Sequence, residues 1–232
     1  MWLRWVRWAL RLTGVMACAM AASAQAQFSG SLSLDSDYRY RGVSLSRSRP
    51  SVRASLNYDT PERWYAGASA TRAALIPGET YSQASGYVGW TTQPVDGRSL
   101  EIGLSGSHFA GVSGYDFCEA YAGVLTDRWS TRLYYAPNYY GRRTQVGYFE
   151  LNAYPPIDRR TRLFAHLGAL VPLAGASNDS AKARLDFSVG AGLVLGRWDL
   201  HVAAVSATPR GPYPAVYGGR RSALVVGASV AY

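Results

Sequence analysis

The side chains best equipped for chemistry in this sequence are charges set singly into alternating apolar stretches: Arg39, Arg53, Glu101, Glu119, Arg132, Glu150, Arg162, Arg184, Asp186 and Asp199. Guanidinium forks bind carboxylates bidentately, so inside an enclosed polar space such a set either pairs internally or binds and steers charged solutes. Nucleophilic chemistry is less well supplied. His108 stands near Ser105, Ser107 and Ser113, and His201 lies two residues from Asp199, but no recognisable nucleophile motif accompanies either histidine. Hydrolysis needs a nucleophile, a base and an orienting group within hydrogen-bond reach. His108, His166 and His201 are scattered and Cys118 reads as a small apolar filler, so no zinc-type cluster and no cofactor is implied.

These charges need elements that place them on one side. In residues 51–59, Val52, Ala54, Leu56 and Tyr58 alternate with Ser51, Arg53, Ser55, Asn57 and Asp59, which is the period of a strand with one apolar and one polar face. The pattern recurs and predicts twelve strands, over 28–40, 51–60, 64–72, 81–92, 99–110, 115–126, 129–137, 144–154, 161–171, 181–196, 198–207 and 222–232. Composition agrees: 13% aromatic, 17% charged, 24 glycines and 17 tyrosines in 232 residues exclude a disordered chain or a coiled coil. The basic balance, 24 Lys+Arg against 15 Asp+Glu, comes without any nucleic-acid-binding module, so no nucleic-acid partner is expected.

Residues 1–26 read as a secretory signal peptide. Arg4, Arg7 and Arg11 precede the apolar stretch from Leu12 to Ala22, and Ala24-Gln25-Ala26 supplies the small-residue cleavage site. Residues 27–232 then form one domain whose connections alternate between tight turns and longer loops. At the turn end Arg63-Trp64, Arg128-Trp129 and Arg197-Trp198 each open a strand with the parity of its apolar face. With the final Tyr232, Trp64, Trp129 and Trp198 suit an interface girdle against membrane lipid. No later apolar run approaches the length of a membrane helix, whereas an even number of half-apolar strands can close into a barrel with its greasy face outward. The expected fold is therefore an all-β transmembrane antiparallel up-and-down barrel in the bacterial outer membrane. Glu119 and Glu150 are expected to point inward, leaving Cys118, Phe149 and Leu151 toward lipid.

The run Ser36-Asp37-Tyr38-Arg39-Tyr40-Arg41-Gly42-Val43-Ser44, with the strand from Ser51 and Trp64-Tyr65-Ala66-Gly67, resembles the opening of the TorF-type family of proteobacterial porins. Leu224, Val226, Ala228, Val230 and Tyr232 resemble the C-terminal strand by which the barrel-assembly machinery recognises its clients. The resemblance implies a non-enzymatic outer-membrane channel for passive diffusion of small hydrophilic solutes, with no catalytic residues. Asp37, Arg39 and Arg41 share the inward parity of the first predicted strand and would pair near the mouth, and the outer loops read as too short to form a large plug. A sharper version has Arg53, Arg132, Arg162 and Arg184 lining a path for acidic solutes. Two other readings stay open: a narrow structural or adhesion-type barrel filled by Tyr121, Tyr148, Tyr154, Phe164 and His166, and an outer-membrane lipid hydrolase built on His108 or His201.

Overall fold

In the computed structural model the described residues are 27–76, 78–155, 157–209, 211–212 and 221–232; the predicted signal peptide, residues 1–26, lies outside them. Fourteen strands follow in chain order: β1 (Gln27–Asp35), β2 (Arg39–Tyr40), β3 (Val43–Ser44), β4 (Ser51–Asp59), β5 (Trp64–Ala73), β6 (Tyr81–Thr91) and β7 (Ser99–Phe109), then β8 (Phe117–Leu125), β9 (Trp129–Ala136), β10 (Gln145–Ala153), β11 (Thr161–Ala174), β12 (Arg184–Leu195), β13 (Trp198–Ala207) and β14 (Ser222–Ala231). Twelve of them form a closed barrel, each antiparallel to its neighbours, and β2 and β3 form a separate hairpin. The seam is β1 against β14, and it extends past the last strand, where Tyr232 exchanges two 3.0 Å backbone hydrogen bonds with Gly30. Closure leaves no open sheet edge, the condition for spanning hydrocarbon.

The alternation in the sequence becomes two faces. Leu104 and Leu133, at 59% and 61% exposure, typify an outward apolar band to which every barrel strand contributes, while Glu101 and Glu119 on the same or adjacent strands are buried inside. Trp64, Trp129, Trp198 and Tyr232 stand exposed on the outer surface beside the short turns. One of those turns is set by backbone chemistry: Asp96 and Gly97 both have positive φ, 51° and 72°, between the paired Val95 and Arg98, as a two-residue type I′ connection requires. Another is fixed by Asp158, which accepts the backbone N–H groups of Thr161 and Arg160 at 2.6 and 2.7 Å; these bonds hold its carboxyl below the usual carboxylate range. Because Leu104 sits mid-strand on the lipid face, Leu104→Arg is expected to cost about 2–4 kcal/mol of stability. Urea unfolding in lipid vesicles checks it, with Ser105→Arg, on the lumen face, as the contrasting substitution.

Two expectations are corrected. The first strand ends at Asp35, not at residue 40, and after Ser36, which still bonds to Val226 of β14, residues 37–46 leave the wall and fold inward, so Arg39 reaches the lumen from an inserted hairpin and not from a barrel strand. The outer connections are therefore long enough to obstruct the barrel. At the hairpin tip Arg41 and Gly42 have φ of 48° and 75°, between the pairs Tyr40–Val43 and Arg39–Ser44, which is again a type I′ geometry. The tip bends this way because burial drives it: Leu45, Leu75, Phe109, Tyr139 and Tyr140 are almost wholly buried and form an apolar cluster on the loop side of the barrel. Two other strands begin later than expected, at Phe117 and Arg184, because short 3-10 turns at Ser113–Tyr115 and Asn178–Ala181 precede them.

Candidate functional site

The lumen is organised by register. Reading across the hydrogen-bonded strands, one inward row runs Thr91, Glu101, Gly123, Arg132, Glu150, Gly168, Asp186 and Ala207. The next row toward the turns or loops of each strand contains Asp59, Tyr65, Gly89, Gly103, Tyr121, Tyr134 and Tyr148. Bulky side chains and glycines thus sit side by side around the wall. A Cβ placed at Gly67, Gly89, Gly103 or Gly168 would collide with the ring or hydroxyl of Tyr87, Tyr65, Tyr121 or Tyr148 respectively. Each ring lies over a neighbouring strand's glycine, so the aromatics that could have filled the barrel lie along its wall.

The charged row pairs with itself. Arg132 forks onto Glu101, with Nη2 3.3 Å from Oε2 and Nε donating to Oε1, and its Nη1 lies 3.4 Å from Glu150. Tyr65 donates to Glu101 at 2.6 Å and Tyr134 to Glu150 at 3.2 Å. Arg162 makes a bidentate pair with Asp199 at 2.7 and 2.6 Å. Asp35 lies between Arg53 at 3.7 Å and His201 at 3.2 Å, and Asp186 is buried against His166 at 2.9 Å and the Tyr148 hydroxyl at 3.3 Å. Arg184 is buried at the loop end of β12. Of these charges Arg39, Arg53, Glu101, Glu119, Arg132, Glu150 and Asp186 line one cavity, Arg162, Arg184 and Asp199 lie outside its lining, and the oppositely charged members named above sit in contact instead of segregating into separate tracks.

The histidines are placed against the hydrolase reading. His108 points outward and contacts Asp116 at 2.6 Å, whereas Ser105 and Ser107 face the lumen, so they lie on opposite sides of the same strand. His201 contacts Asp35, while its sequence neighbour Asp199 is held by Arg162. Among the described residues no three His, Cys, Asp or Glu side chains are grouped as metal ligands.

Sequence reasoning missed the residue that fastens the inserted hairpin. Arg41, expected to join Asp37 and Arg39 in a pairing near the mouth, instead crosses to β8 and donates to both oxygens of Glu119 at 2.9 and 2.7 Å, with Tyr40 adding a third hydrogen bond to that carboxylate at 3.3 Å. Its guanidinium lies 3.9 Å from the centre of the Tyr148 ring and within 5.5 Å of Tyr40, Tyr134 and Tyr139. Burial pushes the Tyr139 phenol up to about 12, even with Arg41 beside it. Asp37 serves the hairpin itself, accepting from Arg39 at 2.7 Å, Ser44 at 2.5 Å and Ser46 at 3.0 Å. Gly42 lies against Asp186 and Ala207, so residues 41 and 42 reach walls four or five strands apart in a ring of twelve. The hairpin crosses the lumen. Beneath it a cavity of about 890 Å³ extends from Asp59, Thr91 and Leu125 near the turns to Arg39, Tyr40, Arg41 and Gly42.

Over residues 19–205 the sequence matches the family described as "Bacterial protein of unknown function (Gcw_chp)", and the chain belongs to that family. No curated protein matches it. Among solved structures the chain is similar to the NanC porin in a rhombohedral crystal form, with a TM-score of 0.60 and 11% identity over 86% of this chain and 98% of that one. It is also similar to the KdgM porin, with a TM-score of 0.58 and 10% identity over 88% of this chain and 99% of that one. A further match is the KdgM porin in complex with disordered oligogalacturonate, with a TM-score of 0.55 and 10% identity over 88% and 98%. At these identities the likeness is one of fold: a closed twelve-stranded barrel of the outer-membrane porin type.

Proposed function

We propose that this member of the Gcw_chp family is a channel for passive diffusion of small hydrophilic solutes across the outer membrane, after export by a cleaved signal peptide and assembly through its C-terminal strand. The observation that carries the reading is the cavity of about 890 Å³, lined by charged and hydroxyl-bearing residues, inside a barrel whose outer face is apolar. The resemblance of residues 36–44 to the TorF-type porins supports it. The same geometry argues against acidic solutes as the preferred cargo, because Arg132 and Arg162 are already held by carboxylates of the wall and Arg53 lies beside Asp35. A guanidinium occupied bidentately has to break that pair before binding a second carboxylate.

Planar-bilayer recording of the purified protein tests the proposal. Discrete openings of small conductance with weak ion selectivity are expected, since paired charges leave no single-sign track along the lumen. Strong anion selectivity would contradict the pairing argument. A second reading, a structural barrel without a pore, is favoured by the buried cluster around Leu45, Tyr139 and Tyr140 that backs the hairpin. It requires that conductance stay absent even when residues 39–47 are replaced by a short Gly/Ser turn.

A further inference from the structure

One sector of the lumen is unlike the rest. Of the described residues, those facing inward from β5 and β6 are uncharged throughout: tyrosines, serines, glycines, two threonines, an alanine and a glutamine. Ser31, Ser55, Ser69, Ser85 and Ser107 are in register across β1, β4, β5, β6 and β7, giving a row of hydroxyls that spans five adjacent strands. Ser85 and Ser107 are 2.9 Å apart within that row. Next to it, toward the turns, stand Asn57, Tyr87 and Tyr65, with the Tyr87 hydroxyl donating to Asn57 at 2.7 Å. The ring centres of Tyr65 and Tyr87 are 5.9 Å apart.

The glycine pattern determines what these rings present. Tyr87 rests over Gly67 and Tyr65 over Gly89, and both rings line the cavity, tilted 53° to one another. Tyr87 is 38% exposed, against 8% for Tyr121 and 1% for Tyr148. A flat aromatic face beside a line of neutral hydroxyls and an amide complements a molecule that is apolar on its ring faces and hydroxylated at its rim. That description fits a pyranose. A charged sugar gains little extra here, because Arg132 and Arg162 are paired on β9 and β11, and Arg53, the one cation that β4 brings to this wall among the described residues, lies beside Asp35.

We propose that the wall formed by β4, β5 and β6 is a binding site for uncharged oligosaccharides, with Tyr65 and Tyr87 as stacking platforms and Ser55, Ser69, Ser85 and Asn57 as hydrogen-bonding partners. The proposal rests on the channel reading and names the solute class that the channel conducts. It is tested by titration calorimetry of the detergent-solubilised barrel with maltotriose, a neutral probe, and with trigalacturonate, alongside efflux of both from proteoliposomes. Folding of each variant is verified by its heat-dependent mobility in SDS gels.

Maltotriose is expected to bind more tightly than trigalacturonate, and Tyr87→Ser is expected to weaken it about five- to tenfold, the loss of one stacking platform. Tyr65→Ser, which also removes a hydrogen bond to Glu101, is the second variant in case the first misfolds. Maltotriose binding that is unchanged in both variants, or tighter binding of trigalacturonate, overturns the site. Efflux of both sugars without measurable maltotriose binding overturns the site and leaves the channel standing. Binding without efflux does the reverse.

Discussion

Glu119→Gln is expected to raise the conductance of the reconstituted barrel several-fold, by freeing the hairpin that crosses its lumen. Glu119 and Arg41 are almost wholly buried, at 2% and 6% side-chain exposure, and the carboxylate receives both prongs of the guanidinium. Glutamine keeps the shape and removes the charge, leaving Arg41 as a buried cation facing one neutral amide oxygen, an amide NH2 that repels it, and tyrosine ring faces. Breaking a buried pair from one side typically costs about 3–5 kcal/mol, and the cheapest relief is for the hairpin tip to withdraw into water. The backbone favours the same outcome, since Arg41 holds a positive φ that a non-glycine residue adopts only under compensation. Glu150→Gln is the control: Glu150 contacts Arg132 and Tyr134 in the wall, so the hairpin stays in place and conductance changes little. Trypsin gives a readout independent of conductance. Cleavage after Arg41 is expected in the variant and not in the parent, and continued protection would mean that the ion pair is not what holds the hairpin.

What the sequence made legible, and what it did not, follows from how far each interaction reaches along the chain. The barrel strands announce themselves locally, because alternation, the Arg-Trp turn pairs and the Asp96-Gly97 turn all lie within a few residues. Parity alone directs Glu119 and Glu150 inward and Cys118, Phe149 and Leu151 outward. The inserted hairpin has no such signature. Its two strands are two residues each, its Arg41-Gly42 tip lacks the usual asparagine or aspartate of that turn, and its serines and arginines read as solvated loop. The burial that makes it fold inward comes from Leu75, Phe109 and Tyr139, distant in sequence and brought together only by closure.

Charge pairing and ring placement were hidden for the same reason. Arg132 bridges Glu101 and Glu150 because register brings strands β7 to β10 into one row, and a one-residue slip would turn each of these side chains to the opposite face. The tyrosines could be read as pore filling from their bulk. Only the pairing of Tyr65, Tyr87, Tyr121 and Tyr148 with glycines on adjacent strands shows that these four line the wall, a relation that requires the register and not the composition.

That dependence on glycine yields the largest stability effect expected from a single added side chain in the lumen, at Gly168→Val. A Cβ at Gly168 would land on the Tyr148 hydroxyl and on a carboxylate oxygen of Asp186, both belonging to residues only 1% exposed. Neither neighbour has room to retreat. Tyr148 is covered by the Arg41 guanidinium, and Asp186 is bonded to His166, whose other ring nitrogen lies 2.7 Å from Asn152. Moving Tyr148 therefore loosens the hairpin as well as the β10–β12 network. Overpacking of this kind costs about 1–3 kcal/mol, and the hydrogen bonds broken around Asp186 add about 1–3 kcal/mol more. Gly86→Val is the contrasting substitution on the outward face of β6. Its added Cβ would find only the Gly67 carbonyl oxygen, at an ordinary 3.5 Å, and a β-branched residue suits a strand, so its effect is expected to be near neutral or stabilising. Urea midpoints of the two variants in the same vesicles decide the matter. Equal midpoints would mean that the ring over Gly168 shifts freely, and that the lumen wall is held by backbone pairing alone.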